Sequence, residues 1–238
     1  MKLGILLPVK DSADTIDKCL YSIQNQTSFL NNNFDYEIVL IDNNSKDNLK
    51  EKIQKYKNIK YLSCSIDGIV PTLNTGLFDM LNNSKIKYIA RIDADDEWLL
   101  NKIEKQMTFL LNNKHIHICG TQMNFIKANE DVNLPFEITP YPIDDASIKT
   151  SLINGMNPIG HPSVIYNKEI FLKFGGYDET YKHAEDLDLW LKCLKFFNFA
   201  NINEPLVNYK FGKKWYNEIQ NKNCNLLNKR TSDLYYTI

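Results

Sequence analysis

The segment ARIDADDEW, residues 90–98, sets three carboxylates, Asp93, Asp95 and Asp96, directly behind the apolar run Tyr88-Ile89-Ala90. Like charges that close repel one another unless a cation lies among them. Side chains two apart on a strand share a face. If Asp93 closes a strand, Asp93 and Asp95 therefore face one pocket and Asp96 turns elsewhere. Two carboxylates on one side suit a hard divalent ion, Mg2+ or Mn2+, which keeps several waters and takes substrate phosphate oxygens as further ligands. The competing reading is a solvated acidic turn, with Asp95 or Asp96 capping the helix that follows.

Other residues could do chemistry beside this triplet. Glu185 and Asp186, in HAEDLDLW, open a stretch with helical spacing. Acids in a first helical turn are favoured by about 0.3–1 kcal/mol through the backbone dipole, so capping alone explains them, and Asp188 needs nothing more. The sharper reading makes one of the pair a general base, a role that contributes roughly 10²–10⁴ in rate. Asp42 follows a strand-like run and precedes the polar turn DNNSKDN, which fits either an Asx-turn or a ligand contact. Arg91 stands two residues before Asp93 and could pair with the acids or with a diphosphate. His161, in GHPS, is either a satisfied structural histidine or a sugar contact. His115 and His117 flank an apolar run and read as structural, and His183 fits either role.

These residues need a frame to hold them. Apolar runs at 3–9, 36–41, 59–64 and 87–92 read as strands. Amphipathic stretches alternate with them: 13–26 with Ile16, Cys19, Leu20 and Ile23 inward, a helix carrying Leu49, Ile53 and Tyr56, residues 72–81, and 99–111 with Ile103, Met107, Leu110 and Leu111 inward. That alternation predicts a mainly parallel sheet covered on both faces, with ligands bound beyond the carboxyl ends of the strands. Asp11, Asp42, Asp93 and Asp95 lie at or after such ends and should meet on one rim. Further on, 116–125 and 163–166 read as strands, 129–145 as a surface loop, Gly175-Gly176 as a turn, 185–197 as a helix, and the chain from Lys213 as an amphipathic helix.

The 238 residues include 28 Lys and Arg against 29 Asp and Glu, a formal net charge of −1 that argues against a nucleic-acid partner. No apolar run approaches the roughly 20 residues needed to cross a bilayer. The cysteines (Cys19, Cys64, Cys119, Cys193 and Cys224) form no CxxC pair and sit among apolar neighbours, which suggests buried thiols in a reducing, cytoplasmic compartment.

Five segments resemble, in order, the motifs of family-2 glycosyltransferases, enzymes of the GT-A fold that use nucleotide-diphospho sugars. KYIARIDADDEW is similar to that family's metal-binding segment, and GILLPVKDSADTIDKCLYSIQNQT to its first strand, nucleotide loop and helix. EIVLIDNNSKDN resembles its second-strand segment, usually read with Asp-Asp-Gly-Ser where this chain has Asp42-Asn43-Asn44-Ser45. GIVPTLNTGL resembles the helix after strand three. NPIGHPSVIYNKEIFLKFGGYDETYKHAEDLDLWLK resembles the acceptor-side segment, which ends in the Glu-Asp pair containing the catalytic base. Five motifs in sequence are more specific than any one alone.

The resemblance implies roles. Asp42 accepts from the nucleotide base, commonly uracil. Pro8 and Val9 meet the nucleotide mainly through backbone, with Asp11 nearby, and Gly68 and Asn74 lie in the segment that closes over it. Arg91, Asp93, Ala94 and His161 complete the donor-binding set. Asp95 is the direct metal ligand, with Asp93 acting through water or holding the ribose. Asp186 is the base and Glu185 orients the acceptor. Two departures stand out: Lys10 replaces an aromatic residue, and the stretch Asn208–Lys213 lacks the metal-completing His that often follows this strand.

The expectation is thus a three-layer α/β/α GT-A-like domain over residues 1–212, with a nucleotide half to about 115, an acceptor half over 116–212 and a helical extension over 213–238. Its activity would be inverting, Mn2+- or Mg2+-dependent transfer of a hexose or N-acetylhexosamine from a UDP-sugar to a glycan, lipid-linked saccharide or protein, with peripheral membrane association compatible. The alternative is a catalytically inactive nucleotide-sugar-binding module of the same fold.

Overall fold

The computed structural model describes residues 2–128, 134 and 137–212. The helical extension and Cys224 lie outside them, as does much of the 129–145 loop. Chain order is β1 (Lys2–Val9), α1 (Ile16–Gln24), α2 (Thr27–Leu30), β2 (Asp35–Asp42), α3 (Leu49–Lys52), β3 (Ile59–Ser63), α4 (Ile69–Asn82), β4 (Ile86–Arg91) and β5 (Glu97–Trp98). There follow α5 (Lys102–Asn112), β6 (Ile118–Lys127), α6 (Asp145–Ile153), β7 (Ile165–Asn167), α7 (Glu169–Phe174), α8 (Glu185–Cys193) and β8 (Phe199–Phe211).

Among the described residues the strands form one 8-stranded sheet in the order β3-β2-β1-β4-β7-β6-β8-β5. The pairs β3–β2, β2–β1, β1–β4 and β6–β8 are parallel, whereas β7 runs antiparallel to both β4 and β6. Side chains alternate across the sheet. Leu3, Ile5, Leu7 and Val9 pack with Ile16, Cys19, Leu20 and Ile23 of α1 and Ile103, Met107 and Leu110 of α5 on one face. Leu6, Val39 and Ile41 pack with Val70, Leu73 and Leu77 of α4 and with residues of α6, α7 and α8 on the other. Burying both faces this way removes apolar surface at roughly 25 cal/mol per Å2 and fixes the register, since a one-residue slip would exchange the two faces. The expected three-layer arrangement is present.

Differences from expectation are local. The helix carrying Leu49 is one turn of α3 followed by a 3-10 turn over Ile53–Lys55. Leu111 is 38% exposed, so α5 packs through Ile103, Met107 and Leu110. Residues 161–163 form a 3-10 turn before β7, and α6 and α7 are helices that the sequence analysis did not assign.

Reversal of β7 is what completes the site. Ala90 pairs with Ile165 and the Arg91 N–H donates to Val164 O at 3.1 Å, so the start of β7 meets the end of β4. The acceptor half of the chain thereby reaches the rim built by the first half.

Gly76 of α4 lies against β1 and β2, where a Cβ would stand 2.4 Å from Ile41 Cδ1 and 2.7 Å from Leu6 Cδ1. Gly76→Ala gains about 1 kcal/mol of helix propensity, against roughly 1–3 kcal/mol of overpacking. A net loss is expected, read as a lower denaturant midpoint at unchanged slope. A raised midpoint would mean that α4 is not seated this closely.

Candidate active site

Val9 pairs with Asp42, and Asp42 with Ser63, so three strand ends align on one edge. The loops beyond them are tied together. The Asp11 N–H donates to Ser45 Oγ at 3.0 Å, Asp11 Oδ1 accepts from the Lys46 N–H at 2.6 Å, and Asp47 Oδ2 accepts from the Ala13 N–H at 2.7 Å. Asp42 is buried; its Oδ1 accepts from the Ser45 N–H at 2.9 Å and its Oδ2 from the Tyr61 hydroxyl at 2.6 Å. Burial opposes the charge, but these hydrogen bonds outweigh it and hold the Asp42 carboxyl below its ordinary value. The Asx-type turn considered for Asp42 is therefore formed, and the carboxylate is kept anionic with further lone pairs to offer.

Asn43 shapes the next turn. Its Nδ2 donates to Cys64 O and Ile66 O at 3.1 and 2.7 Å, and its Oδ1 accepts from the Gly68 N–H at 3.1 Å. Gly68 precedes α4 at φ 125°, a conformation that glycine adopts without strain. Pro8, Val9, Asn43, Gly68 and Thr72 help to line a cavity of about 250 Å3, and the paired Lys10 and Asp67 complete part of its wall. Pro8, Val9 and Gly68 thus meet as expected. Asn74 does not line this cavity. Its Nδ2 donates to Tyr177 O and its Oδ1 accepts from the Tyr177 N–H, both at 2.9 Å.

At the acidic segment the strand premise needs correction. β4 ends at Arg91, and the Asp96 N–H donates to Asp93 O at 3.2 Å, so Asp93–Asp96 is a turn. The turn, rather than strand alternation, parts the carboxylates. Asp95 is exposed, whereas Asp96 is 1% exposed and its Oδ1 accepts from the Lys210 N–H at 2.8 Å. Ala94 is buried between Asp93 and Asp95. Arg91, 4% exposed, grips Asp93 with two hydrogen bonds of 2.5 Å, so the ion-pair reading of Arg91 is realised. Although Asp95 is open to solvent, the dense packing around it and the Asp93 charge push its carboxyl up, and burial with the Asp93 and Asp95 charges pushes Asp96 well up. Asp96 Oδ2 has no hydrogen-bond partner among the described residues. Surplus negative charge of this kind fits a divalent cation at Asp95. Among the described residues no group of three or more His, Cys, Asp or Glu side chains is placed to hold a metal ion.

On the acceptor side, His161 is buried in its 3-10 turn, with Nε2 3.0 Å from the Tyr177 hydroxyl and Nδ1 3.8 Å from Glu185 Oε1. Burial and the Arg91 charge push the imidazole well below its ordinary value and keep it neutral. Glu185 is 6% exposed and its carboxyl is pushed up to about 7, by burial and then by Asp186. Asp186 is half-buried; its Oδ2 accepts from Asn157 Nδ2 at 2.7 Å, and burial pushes it up despite that bond. Asp188, assigned only to capping from sequence, is buried and paired with Lys192 at 2.7 Å. Sequence reading gave no role to Asn157, Tyr61, Tyr166 or Tyr177. Asn157, Tyr166 and Tyr177 do fall inside the motif that resembles the family's acceptor-side segment, the one signal that could have marked them.

Because Glu185 binds its proton more tightly folded than unfolded, it favours folding at low pH, and that contribution fades as pH rises from about 4.5 to about 7. Glu185→Gln should flatten this part of the curve. Denaturant unfolding between pH 5 and 8 is expected to show wild type losing stability relative to Glu185→Gln as pH rises. Parallel curves would contradict the shift.

Residues 4–173 match the family model described as glycosyl transferase family 2. The chain is 27% identical over 222 residues to the O-antigen biosynthesis glycosyltransferase WbnJ of Escherichia coli, covering 89% of this chain and 80% of that one. It is 28% identical over 221 residues to the E. coli UDP-Gal:alpha-D-GlcNAc-diphosphoundecaprenol beta-1,3-galactosyltransferase, covering 90% and 75%. Among solved structures, S. aureus TarS 1-349 in complex with UDP superposes with a TM-score of 0.67 at 18% identity, covering 92% of this chain and 63% of that one. The ordered motifs, the sheet with its reversed β7 and the family match agree: this chain belongs to glycosyl transferase family 2 and has its GT-A-like α/β fold.

Proposed function

We propose that the chain transfers a hexose or N-acetylhexosamine from a UDP-sugar to an acceptor hydroxyl, with inversion. The observation that carries this reading is the meeting of the two halves around Arg91, whose charge is felt by Asp95, Asp96, Glu185 and Asp186. A carboxylate pair that takes up protons readily thus stands beside an acidic rim suited to a cation. The two relatives and the structural neighbour support the donor and acceptor classes: one relative is named for UDP-Gal and a diphosphoundecaprenol-linked acceptor, and the neighbour holds UDP.

In this reading the cavity bordered by Pro8, Val9, Asn43 and Gly68 takes the nucleoside, and Asp42 accepts from the base. Asp95, with Asp93 beside it, holds Mn2+ or Mg2+, whose chemistry would be Lewis-acid stabilisation of the diphosphate leaving group. Arg91 holds Asp93 in place. Lys210, whose charge is felt at Asp95, offsets negative charge on the departing diphosphate. Asp186 takes the proton from the acceptor hydroxyl as it attacks the anomeric carbon, and Asn157 fixes the carboxylate that does so. Holding donor and acceptor in line makes the displacement effectively unimolecular. No described helix is long and apolar enough to cross a membrane, so a lipid-linked acceptor would be met at the membrane surface.

Asp95→Ala and Asp186→Ala are each expected to abolish transfer, and only Asp95→Ala should also weaken metal-dependent UDP binding in titration calorimetry. Near-normal rates in Asp186→Ala would remove it as the base. Donor binding by wild type without turnover of any donor in a nucleotide-sugar panel would favour the inactive module. Lys210→Glu should lower kcat by roughly tenfold or more while leaving the unfolding midpoint near that of wild type. Unchanged kinetics would retire the role given to this lysine.

A further inference from the structure

Behind Glu185 lies a row of buried polar groups that the transfer reaction as described does not use. The Tyr166 hydroxyl is 2.9 Å from the Tyr177 hydroxyl, which is 3.0 Å from His161 Nε2, and His161 Nδ1 is 3.8 Å from Glu185 Oε1. Tyr166 is fully buried, and Tyr177, His161 and Glu185 are 4%, 7% and 6% exposed. The other Glu185 oxygen, Oε2, has no hydrogen-bond partner among the described residues.

The row is held from several directions. Trp98 Nε1 donates to Pro162 O at 3.3 Å, Gln106 Nε2 to Ser163 O at 3.0 Å, and the Thr121 N–H to Ser163 Oγ at 3.1 Å, which fixes the turn bearing His161. Asn74 holds the Tyr177 backbone at both its N–H and its C=O. Trp190 stacks on Tyr166 and presents an edge to His161. Side chains constrained this way are built into a geometry, since burying so many polar groups is costly unless they satisfy one another.

We propose that Tyr166, Tyr177 and His161 form a directional hydrogen-bonded line that faces Glu185 across a 3.8 Å gap, in which Tyr177 is the positioning residue that couples the His161 tautomer to the state of that carboxyl. The proposal rests on the reading of Glu185 and Asp186 as the acceptor-side pair. Each tyrosine has one O–H and a neutral imidazole one N–H, so the line can run in two directions, the second of which leaves the Tyr166 O–H to turn away from the line. With Glu185 ionised, the Nδ1–H of His161 donates to the carboxylate, the Tyr177 O–H donates to Nε2, and the Tyr166 O–H donates to the Tyr177 oxygen. With Glu185 protonated, its O–H donates to Nδ1, the Nε2–H donates to the Tyr177 oxygen, and the Tyr177 O–H donates to Tyr166. The first arrangement holds three exchangeable hydrogens and the second four, so reversal takes up one proton and moves no net charge onto the ring. The 3.8 Å step is the loose one, and such contacts tighten in a substrate complex.

Other charged groups facing this end of the line are Arg91 of β4, Asp93 beyond it and Asp186 on the same helix. The carboxyl position near 7 places the reversal at neutral pH, where it would decide whether Asp186 has an anionic or a neutral neighbour.

Long-range 1H–15N spectra of protein labelled at histidine nitrogen test this without any turnover. His161 is assigned by its loss in His161→Gln. In wild type, His161 is expected to change from Nε2–H to Nδ1–H as pH rises through about 7, and Glu185→Gln should abolish the change. Tyr177→Phe should shift its midpoint by about half a pH unit or more, a roughly threefold change in proton affinity. Tyr166→Phe, one step further away, should shift it less in the same direction, and supplies the test if Tyr177→Phe does not fold. One tautomer throughout pH 5–9 in wild type, or a midpoint unmoved in the folded tyrosine variants, overturns the proposal. Absence of sugar transfer by wild type would instead sink the enzymatic reading and leave this result standing.

Discussion

One buried guanidinium conditions the rest of this site. Arg91 lies at the end of β4, almost wholly out of water, gripping Asp93 from the first half of the chain while its charge reaches Glu185 and Asp186 from the second. A cation so placed is stable only because anions surround it, and the anions tolerate one another only because it is there. Removing one partner of such a pair leaves the other buried and uncompensated, a loss of about 3–5 kcal/mol in other proteins. Yet a single guanidinium does not neutralise Asp93, Asp95, Asp96, Glu185 and Asp186 together. Burial, reinforced at Asp95, Asp96 and Glu185 by neighbouring carboxylates, raises the proton affinity of the carboxyls that Arg91 does not grip. In the proposed reading, this surplus of negative charge is where a metal would sit, with the base beside it.

The sheet topology makes this possible. Parallel strands β1, β2 and β4 end on one edge, which brings the nucleotide-side loops together. β7, running the other way, carries the His161 turn to that edge. Asp96, buried and bound to the Lys210 N–H, fastens β8 to the acidic turn. Asp95 is the member of the triplet left exposed.

Much of this was legible in the chain. Continuous apolar runs marked β1, β2 and β4, and helical spacing marked α1, because a sheet buried on both faces leaves a strong local pattern. Asp42 and Asp95 were singled out as acids following those runs, and Asp186 as an acid opening a helix within a motif of the resemblance. What local pattern could not show was long-range pairing. Asn74 looked like a nucleotide residue, but it serves Tyr177, 103 positions away. Tyr166 and Tyr177 were given no role from sequence, and only the fold shows that their hydroxyls meet. The DADD segment was read by strand periodicity, yet β4 stops at Arg91, where the demand to pair that buried charge with Asp93 outweighs extension of the strand.

The most direct test is a crystal soaked with UDP and Mn2+, with the metal located by anomalous scattering. The account predicts one manganese peak against Asp95, the diphosphate on it, uracil near Asp42, and the Arg91–Asp93 fork intact. Manganese or UDP bound away from this rim, or Arg91 released from Asp93 to grip the phosphates, would contradict it.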